Sequence, residues 1–298
     1  MKVIGIGAAG LFAPGALSGD PGGRPAPLAR AIPSTGEKLP AIGLGTWETF
    51  DVGPGAETRR PLGDVLARFA SRGGRLVDSS PMYGRAEGVI GALAGEAGLL
   101  PSLFVATKVW TRGKSSGLEQ MERSVRLLGK VDLMQVHNLL DLETQLASIR
   151  AWKAAGRVRY AGVTHYTASA HAELARVLRK EKPDFVQVNY SAAEPEAGAS
   201  LLPLAADLGV AVIANRPFGG GEALRRALKT PLPAWAAEAG CASWAQVFLK
   251  WILADPAVTC AIPATSKIAH LEDNLGAAEE PLPDAAWRKR AREAVAAL

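Results

Sequence analysis

Short apolar runs recur through the chain from residue 31 onward, and most of them stop at a polar or ionisable residue. Eight runs are nearly continuous and rich in valine and isoleucine, which is the pattern of strands covered on both faces of a parallel sheet. The predicted strands are LPAIGLGTW (39–47), RLVDSS (75–80), LFVATKV (103–109), VDLMQVHN (131–138), RVRYAGVTHY (157–166), PDFVQVNYS (183–191), GVAVIANRPF (209–218) and AVTCAIPATS (257–266). A small hairpin from Ile32 through Gly36 is expected before the first strand.

Between the strands, apolar residues recur at three- and four-residue spacing, which predicts amphipathic helices. The predicted helices are ETRRPLGDVLARFASRG (57–73), RAEGVIGALAGEAG (85–98), GLEQMERSVRLLG (117–129), LETQLASIRAWKAAG (142–156), ASAHAELARVLRKE (168–181) and SWAQVFLKWILAD (243–255). Alternation of eight strands with helices predicts a closed (β/α)8 barrel with a parallel eight-stranded sheet, and an open doubly wound sheet is the alternative. We expect one barrel domain over residues 29–298, with a terminal helix after residue 280 packed on its outside.

The first 28 residues have a different pattern. GIGAAG (5–10) matches the Gly-x-Gly-x-x-Gly phosphate-binding motif, but the next stretch, LFAPGALSGDPGGRPAPL (11–28), is too rich in proline and glycine to form the helix that a dinucleotide-binding fold needs. Two interpretations remain open for residues 1–28, an export leader with small residues near Ala16 and Ser18, or a disordered extension. A cytoplasmic location is favoured, and an exported form follows if residues 1–18 are part of a leader.

Charge and cysteine content exclude several classes of protein. The formal net charge is +5, but the basic residues are scattered and no block of five or six occurs, so nucleic acid is not an expected partner. No apolar run reaches the roughly 20 residues that a membrane-spanning helix needs. Cys241 and Cys260 are too few for a disulfide framework, and no His/Cys cluster has the spacing of a zinc site, so no metal is expected. We expect a monomer.

Four residues near the ends of successive strands carry the candidate chemistry: Asp78, Tyr83, Lys108 and His137. The carboxyl ends of the strands form the active-site face of such a barrel, so these residues are expected to converge. A carbonyl that accepts hydride develops negative charge on its oxygen and needs a proton there. The phenol of Tyr83 would supply it, with the charge of Lys108 lowering its pKa, Asp78 holding Lys108, and His137 orienting the carbonyl and assisting proton movement. No protein side chain supplies hydride, so a nicotinamide cofactor is implied.

The motifs around these residues resemble those of the aldo-keto reductase family over residues 31 to 280. They are GLGTW (43–47), VDSSPMYG (77–84), ATKVW (106–110), QVHN (135–138), GVTHY (162–166), FVQVNYS (185–191) and IPATSKIAHLEDN (262–274). The resemblance implies an NAD(P)-dependent oxidoreductase that reduces an aldehyde or ketone, with the four residues as a catalytic tetrad and the cofactor extended across the barrel mouth. Two alternatives are a regulatory or redox-sensing barrel with little turnover, and a metal-dependent hydrolase, which the four histidines of the chain disfavour.

The cofactor-holding positions implied by the resemblance include several departures from the family pattern. Thr164 and His165 stand where relatives have Ser-Asn, and Gln187 matches the glutamine that holds the nicotinamide carboxamide. Asn215 replaces an aromatic residue that stacks on the nicotinamide in many relatives, and Arg216 would either stack or meet a phosphate. The other implied cofactor contacts are Gly45, Thr46, Trp47, Pro217, Phe218 and Gly219. The glycine run 219–221 is either part of the pyrophosphate path or a flexible loop.

The adenosine end of the cofactor aligns with the last motif. The implied contacts there are Thr265, Ser266, Lys267, His270, Asp273 and Asn274. Relatives that use NADPH place lysine and arginine on the 2′-phosphate at the positions of Ala264 and His270, so Lys267 would have to substitute. NADPH is favoured on family frequency and NADH remains possible.

The loop after the fourth strand is short, so an open substrate site is expected. Its candidate walls are Trp47, Met82 and Trp110, with Asn138 and Leu139. An open, partly aromatic mouth suits a small-molecule carbonyl substrate and does not identify one.

Overall fold

A computed structural model describes residues 27–298 of the chain. The GIGAAG motif and nearly all of the predicted leader or disordered extension lie outside the described residues. The helices and strands described below therefore belong to the predicted barrel domain.

A two-stranded hairpin precedes the barrel, as predicted. Strands β1 (Ala29–Ala31) and β2 (Lys38–Pro40) pair antiparallel around a turn that contains Gly36 at φ +75°. Ile32 and Leu39 of this hairpin are fully buried, in one cluster with the first residues of several barrel strands. The hairpin therefore closes the amino-terminal end of the barrel, which leaves the opposite end for a site.

Eight parallel strands form the barrel, which confirms the predicted fold class. They are β3 (Leu44–Gly45), β4 (Leu76–Asp78), β5 (Phe104–Val109), β6 (Leu133–His137), β7 (Tyr160–His165), β8 (Phe185–Asn189), β9 (Ala211–Asn215) and β10 (Val258–Ala261). Each strand pairs with the next in chain order. Parallel bridges from Ile42 to Ala261 and from Gly45 to Ala264 join the first strand to the eighth and close the ring.

Ten α-helices cover the outside of the described barrel. They are α1 (Ala56–Ser71), α2 (Ala86–Glu96), α3 (Lys114–Leu128), α4 (Leu142–Ala154), α5 (His171–Glu181), α6 (Ala197–Asp207), α7 (Glu222–Ala227), α8 (Trp244–Leu253), α9 (Ile268–Gly276) and α10 (Ala285–Ala296). The predicted terminal helix corresponds to α10, which buries Trp287, Ala291 and Val295. None of the helices within residues 27–298 is long and apolar enough to span a bilayer.

The structure divides the predicted first strand, 39–47, into two elements. Leu39 belongs to the hairpin strand β2, and the barrel strand begins only at Leu44. Between them the backbone at Gly43 passes so close to the next strand that a Cβ there would lie 2.9 Å from the Leu76 carbonyl oxygen. The uniform apolar composition of the run therefore masked a change of partner strand.

Candidate active site

The four residues singled out from the sequence meet at the carboxyl end of the barrel. Asp78 ends β4, Lys108 lies within β5, His137 ends β6, and Tyr83 lies in the turn before α2. Lys108 Nζ is 2.6 Å from Asp78 Oδ2 and 4.9 Å from the centroid of the Tyr83 ring. The rings of Tyr83 and His137 approach edge to face, with centroids 6.0 Å apart. The convergence arises because neighbouring parallel strands end on the same rim.

Lys108 and Asp78 form an ion pair removed from solvent. Their side chains are 0% and 2% exposed, and Lys108 Nζ donates a further bond to the carbonyl of residue 79 at 2.7 Å. Asp78 Oδ1 accepts from Gln187 Nε2 at 2.8 Å and from Gln135 Nε2 at 3.2 Å, so both carboxylate oxygens are satisfied. Burial alone would lower the pKa of Lys108, but the charge of Asp78 and the contact with Tyr83 raise it. The lysine is therefore held as a cation beneath the phenol.

Tyr83 remains protonated in this environment. Burial raises the pKa of its hydroxyl, and the opposing effect of the Lys108 charge is smaller, so the net direction is upward. The charge of Lys108 does lower the pKa of Tyr83, as expected from the sequence. The net pKa is nevertheless raised, because burial disfavours the phenolate by more than the lysine stabilises it. The phenol therefore keeps its proton across the neutral pH range.

His137 is a buried, neutral imidazole. Burial, the positive charge of Lys108 and the neighbouring His165 lower the pKa of His137 to about 2. Its Nδ1 lies 3.0 Å from Ser80 Oγ. Nε2 forms no hydrogen bond with the described residues, and the ring lines a cavity at the barrel mouth.

The cavity at the mouth has a volume of about 580 Å³ and brings together fourteen of the predicted site residues. They are Gly45, Thr46, Trp47, Asp78, Met82, Tyr83, Trp110, His137, Thr164, Gln187, Asn215, Arg216, Pro217 and Phe218. Asn138 also lines the cavity, whereas Leu139 packs against the hydrophobic core. One cavity thus contains most of the catalytic, nicotinamide and substrate positions implied by the resemblance.

The remaining predicted residues lie outside this cavity. Lys108 is beneath it, and the predicted adenosine contacts form the turn into α9 and the helix itself. Lys267 Nα donates to Thr265 Oγ1 at 3.1 Å in that turn, where Ser266 and Lys267 are exposed, as is His270 on the helix. Asp273 accepts from Ser243 Oγ at 2.7 Å. Asn274, by contrast, is buried, and Gly219 and His165 are half-buried and do not line the cavity.

Gly220 and Gly221, from the glycine run singled out in the sequence, also line the cavity. Lining residues that were not predicted as contacts are Glu48, Thr49, Tyr166, Ile262 and Ala264. Tyr166 follows β7 directly and its ring stacks on His165, with centroids 5.6 Å apart and planes 8° apart. Trp47, Met82, Trp110 and Tyr166 are all 40% or more exposed, although they are large and apolar. The signal for Tyr166 was an aromatic residue at the end of the predicted strand 157–166, beside His165.

The end of β9 and the loop after it contain two departures from the family pattern, Asn215 and Arg216. Asn215 Nδ2 faces two acceptors, His165 O and Gln187 Oε1, both at 3.4 Å, which leaves Asn215 Oδ1 buried at the cavity without a partner among the described residues. Arg216 is held by Glu194, with Nη2 2.8 Å from Oε1. Its guanidinium lies so close to Gly220 that a Cβ there would be 2.9 Å from Nη2.

Within residues 27–298 no group of three or more His, Cys, Asp or Glu side chains is placed to hold a metal ion. Two charged groups that line the cavity, Asp78 and Arg216, are in ion pairs with Lys108 and Glu194.

The sequence and the fold are both similar to known proteins. The model of the aldo/keto reductase family matches residues 41–292. An aldo-keto reductase of Strobilurus tenacellus is 28% identical over 85% of this chain and 89% of that protein. An aldo-keto reductase of Mycobacterium sp. (strain KMS) is 31% identical over 72% of this chain and 76% of that protein. The crystal structure of an aldo/keto reductase from Klebsiella pneumoniae in complex with NADP and acetate superimposes with a TM-score of 0.74 at 25% identity, covering 87% of this chain and 93% of that one.

Proposed function

Because the chain belongs to the aldo/keto reductase family, we propose that it reduces an aldehyde or ketone to the alcohol, with hydride from NADPH and a proton from Tyr83. The observation that carries the proposal is the buried Lys108–Asp78 pair directly beneath a protonated Tyr83 at an open cavity.

The proton-transfer half of the site has the parts that reduction needs. As hydride reaches the carbonyl carbon, charge develops on the oxygen, and a donor that is protonated at neutral pH can deliver a proton there. Tyr83 meets that condition, since burial keeps its pKa high. When the proton leaves, the nearby Lys108 cation stabilises the phenolate, and Asp78 holds Lys108 in place. His137 lies at the same wall of the cavity, where it would orient the carbonyl oxygen.

The nicotinamide end of the proposed cofactor site fits a carboxamide. Gln187 has its amide engaged by Asp78, Gln135, Thr164 and Asn215, so little of its hydrogen-bonding capacity is left for a ligand. Asn215 lines the cavity, and its buried Oδ1, which has no partner among the described residues, is an acceptor suited to an amide N–H. A nicotinamide cofactor bound here would supply hydride, and Asn215 would accept a hydrogen bond from its carboxamide.

The phosphate-bearing part of the cofactor fits the two following loops. Gly219, Gly220 and Gly221 all have positive φ, at 58°, 66° and 87°, which lets the backbone approach a ligand without side chains. The turn 265–267 leads into the amino terminus of α9, whose free N–H groups favour an anion. Lys267 is exposed at that turn and is our candidate partner for the 2′-phosphate of NADPH.

The substrate half of the cavity suits a neutral carbonyl compound with apolar or aromatic substituents. Trp47, Met82 and Trp110 present exposed apolar surface at the mouth. The one guanidinium that lines the cavity, that of Arg216, is already paired with Glu194. Nothing at the mouth within the described residues thus offers a free cation for a carboxylate substrate.

The first test is a cofactor titration followed by turnover. NADPH and NADH are titrated by fluorescence, and a panel of aryl and alkyl aldehydes and ketones is then assayed by the loss of reduced-nicotinamide absorbance. Tyr83→Phe should lower turnover by roughly a hundredfold or more, because only the phenolic proton is removed. Its NADPH affinity should remain near that of the wild type.

Tyr166→Phe is the matched control, since it removes a second phenol of the same cavity, over which the described part of the chain places no lysine. If Tyr83→Phe keeps wild-type turnover, Tyr83 is not the proton donor. If the wild type binds NADPH but oxidises none of it with any carbonyl of the panel, the alternative of a regulatory barrel with little turnover is favoured instead.

A further inference from the structure

Ser80 contacts one of the two ring nitrogens of His137, Nδ1. Ser80 Oγ is 3.0 Å from His137 Nδ1, and it also accepts a bond from Met82 N at 3.3 Å. Ser80 is fully buried and His137 is 5% exposed, so water does not compete for this contact. The remaining ring nitrogen, Nε2, has no hydrogen-bond partner among the described residues, and the ring lines the cavity.

The hydrogen bonds of Ser80 decide which nitrogen carries the proton. A neutral imidazole has one N–H and one acceptor nitrogen, and a hydroxyl has one O–H. If Nδ1 donated to Ser80 Oγ, the Ser80 hydroxyl hydrogen would be buried with no acceptor among the described residues, which is costly. If instead Ser80 donates to Nδ1, the hydroxyl, Met82 N–H and Nδ1 are all satisfied. The second arrangement places the only ring proton on Nε2.

We propose that Ser80 is a positioning residue that fixes His137 as the tautomer with its proton on Nε2, so that His137 presents a hydrogen-bond donor to the cavity. The consequence for catalysis rests on the proposed carbonyl reduction: His137 Nε2–H donates to the carbonyl oxygen and holds it beside the Tyr83 hydroxyl. In the other tautomer a lone pair would face that oxygen and repel it. His137 therefore orients the substrate and does not itself give up a proton, which narrows the role expected from the sequence.

A merely structural role for Ser80 is the competing explanation, because its hydroxyl also accepts from the turn at Met82. That role would be served equally by any small side chain that keeps the turn, and it would not affect the protonation of the ring. The tautomer of His137 therefore separates the two explanations.

The neighbouring serine provides a matched control. Ser79 is also buried, and its hydroxyl has no hydrogen-bond partner among the described residues. Ser79→Ala and Ser80→Ala thus remove the same atom from adjacent buried positions, one without and one with a bond to His137.

The experiment is heteronuclear NMR of the full chain with isotope-labelled histidine, in which the His137 signals are assigned by their loss in His137→Gln. The wild type and Ser79→Ala should show a protonated Nε2 and an unprotonated Nδ1. Ser80→Ala should show a mixture of both tautomers, and Ser80→Thr, which keeps a hydroxyl, should restore the wild-type pattern.

The kinetic counterpart is a fall in kcat/KM for an aldehyde of roughly tenfold in Ser80→Ala with NADPH affinity unchanged, since an orienting donor is weakened and no cofactor contact is lost. A protonated Nδ1 in the wild type overturns the proposal, as does a Ser80→Ala protein with the wild-type tautomer pattern. The NMR result does not depend on turnover, so an inactive wild type would count against the proposed function and leave the tautomer assignment to be decided on its own. If Ser80→Ala does not fold, the wild-type and Ser80→Thr spectra still decide it.

Discussion

The buried state of His137 predicts a specific dependence of stability on pH. The pKa of His137 is lowered from 6.5 to about 2 in the folded protein, chiefly by burial. Below pH 6.5 the unfolded chain binds a proton that the folded protein cannot accept, so the unfolded state gains stability as the pH falls. This loss of folding stability is absent above pH 6.5 and grows as the pH falls toward the folded-state pKa. His137→Gln removes the group that causes it.

The magnitude follows from the size of the shift. A pH of 5 lies about 1.5 units below the pKa of 6.5 of the unfolded imidazole, whereas the folded imidazole remains neutral. The free energy of unfolding of the wild type should therefore be about 2 kcal/mol lower at pH 5 than at pH 7.5 from this group. Loss of the Ser80 hydrogen bond in His137→Gln adds a cost that does not depend on pH. The difference in unfolding free energy between wild type and variant should therefore change by about 2 kcal/mol, in favour of the variant, from pH 7.5 to pH 5.

The assay is urea unfolding followed by tryptophan fluorescence at both pH values. His270→Gln, which removes a histidine from the exposed face of α9, controls for histidine loss in general and should run parallel to the wild type. Equal changes with pH in the wild type and His137→Gln would refute the reasoning, because they would mean that the folded His137 accepts a proton in this range.

Two further predictions concern the charges of the site. Lys108→Met should lower the free energy of unfolding by about 3–5 kcal/mol, measured by thermal or urea unfolding, because it leaves the Asp78 carboxylate buried without its counter-ion; adding Asp78→Asn should recover part of that loss, and no recovery would count against the pairing argument. Lys267→Gln should weaken NADPH binding roughly fivefold in a fluorescence titration and leave NADH binding unchanged, as expected for an exposed contact to the 2′-phosphate. Equal weakening of both cofactors would place Lys267 elsewhere on the cofactor.

The fold was predictable because the sequence repeats one signal eight times. Each strand is a short apolar run whose polar terminus is visible in the sequence, as at Asp78 and His137, and the structure places both on the carboxyl-end rim. Helix α6 was not predicted, since it contains Gly198 and Pro203, which weaken the helical pattern. The boundary of the first strand was missed because Leu39 and Leu44 belong to one apolar run but to different sheets.

Residue types at the site were predictable, but their protonation and hydrogen bonding were not. The sequence places a lysine near Tyr83, but only the structure shows that burial outweighs it in setting the pKa of the phenol. In the same way, a motif gives Gln187 a ligand-binding role, whereas the geometry shows its amide already bonded within the protein and an acceptor of Asn215 left free. Such differences depend on distances of a few tenths of an ångström between residues far apart in the chain. A family motif therefore predicts which side chains meet, and the balance of burial and partners decides what each of them is able to do.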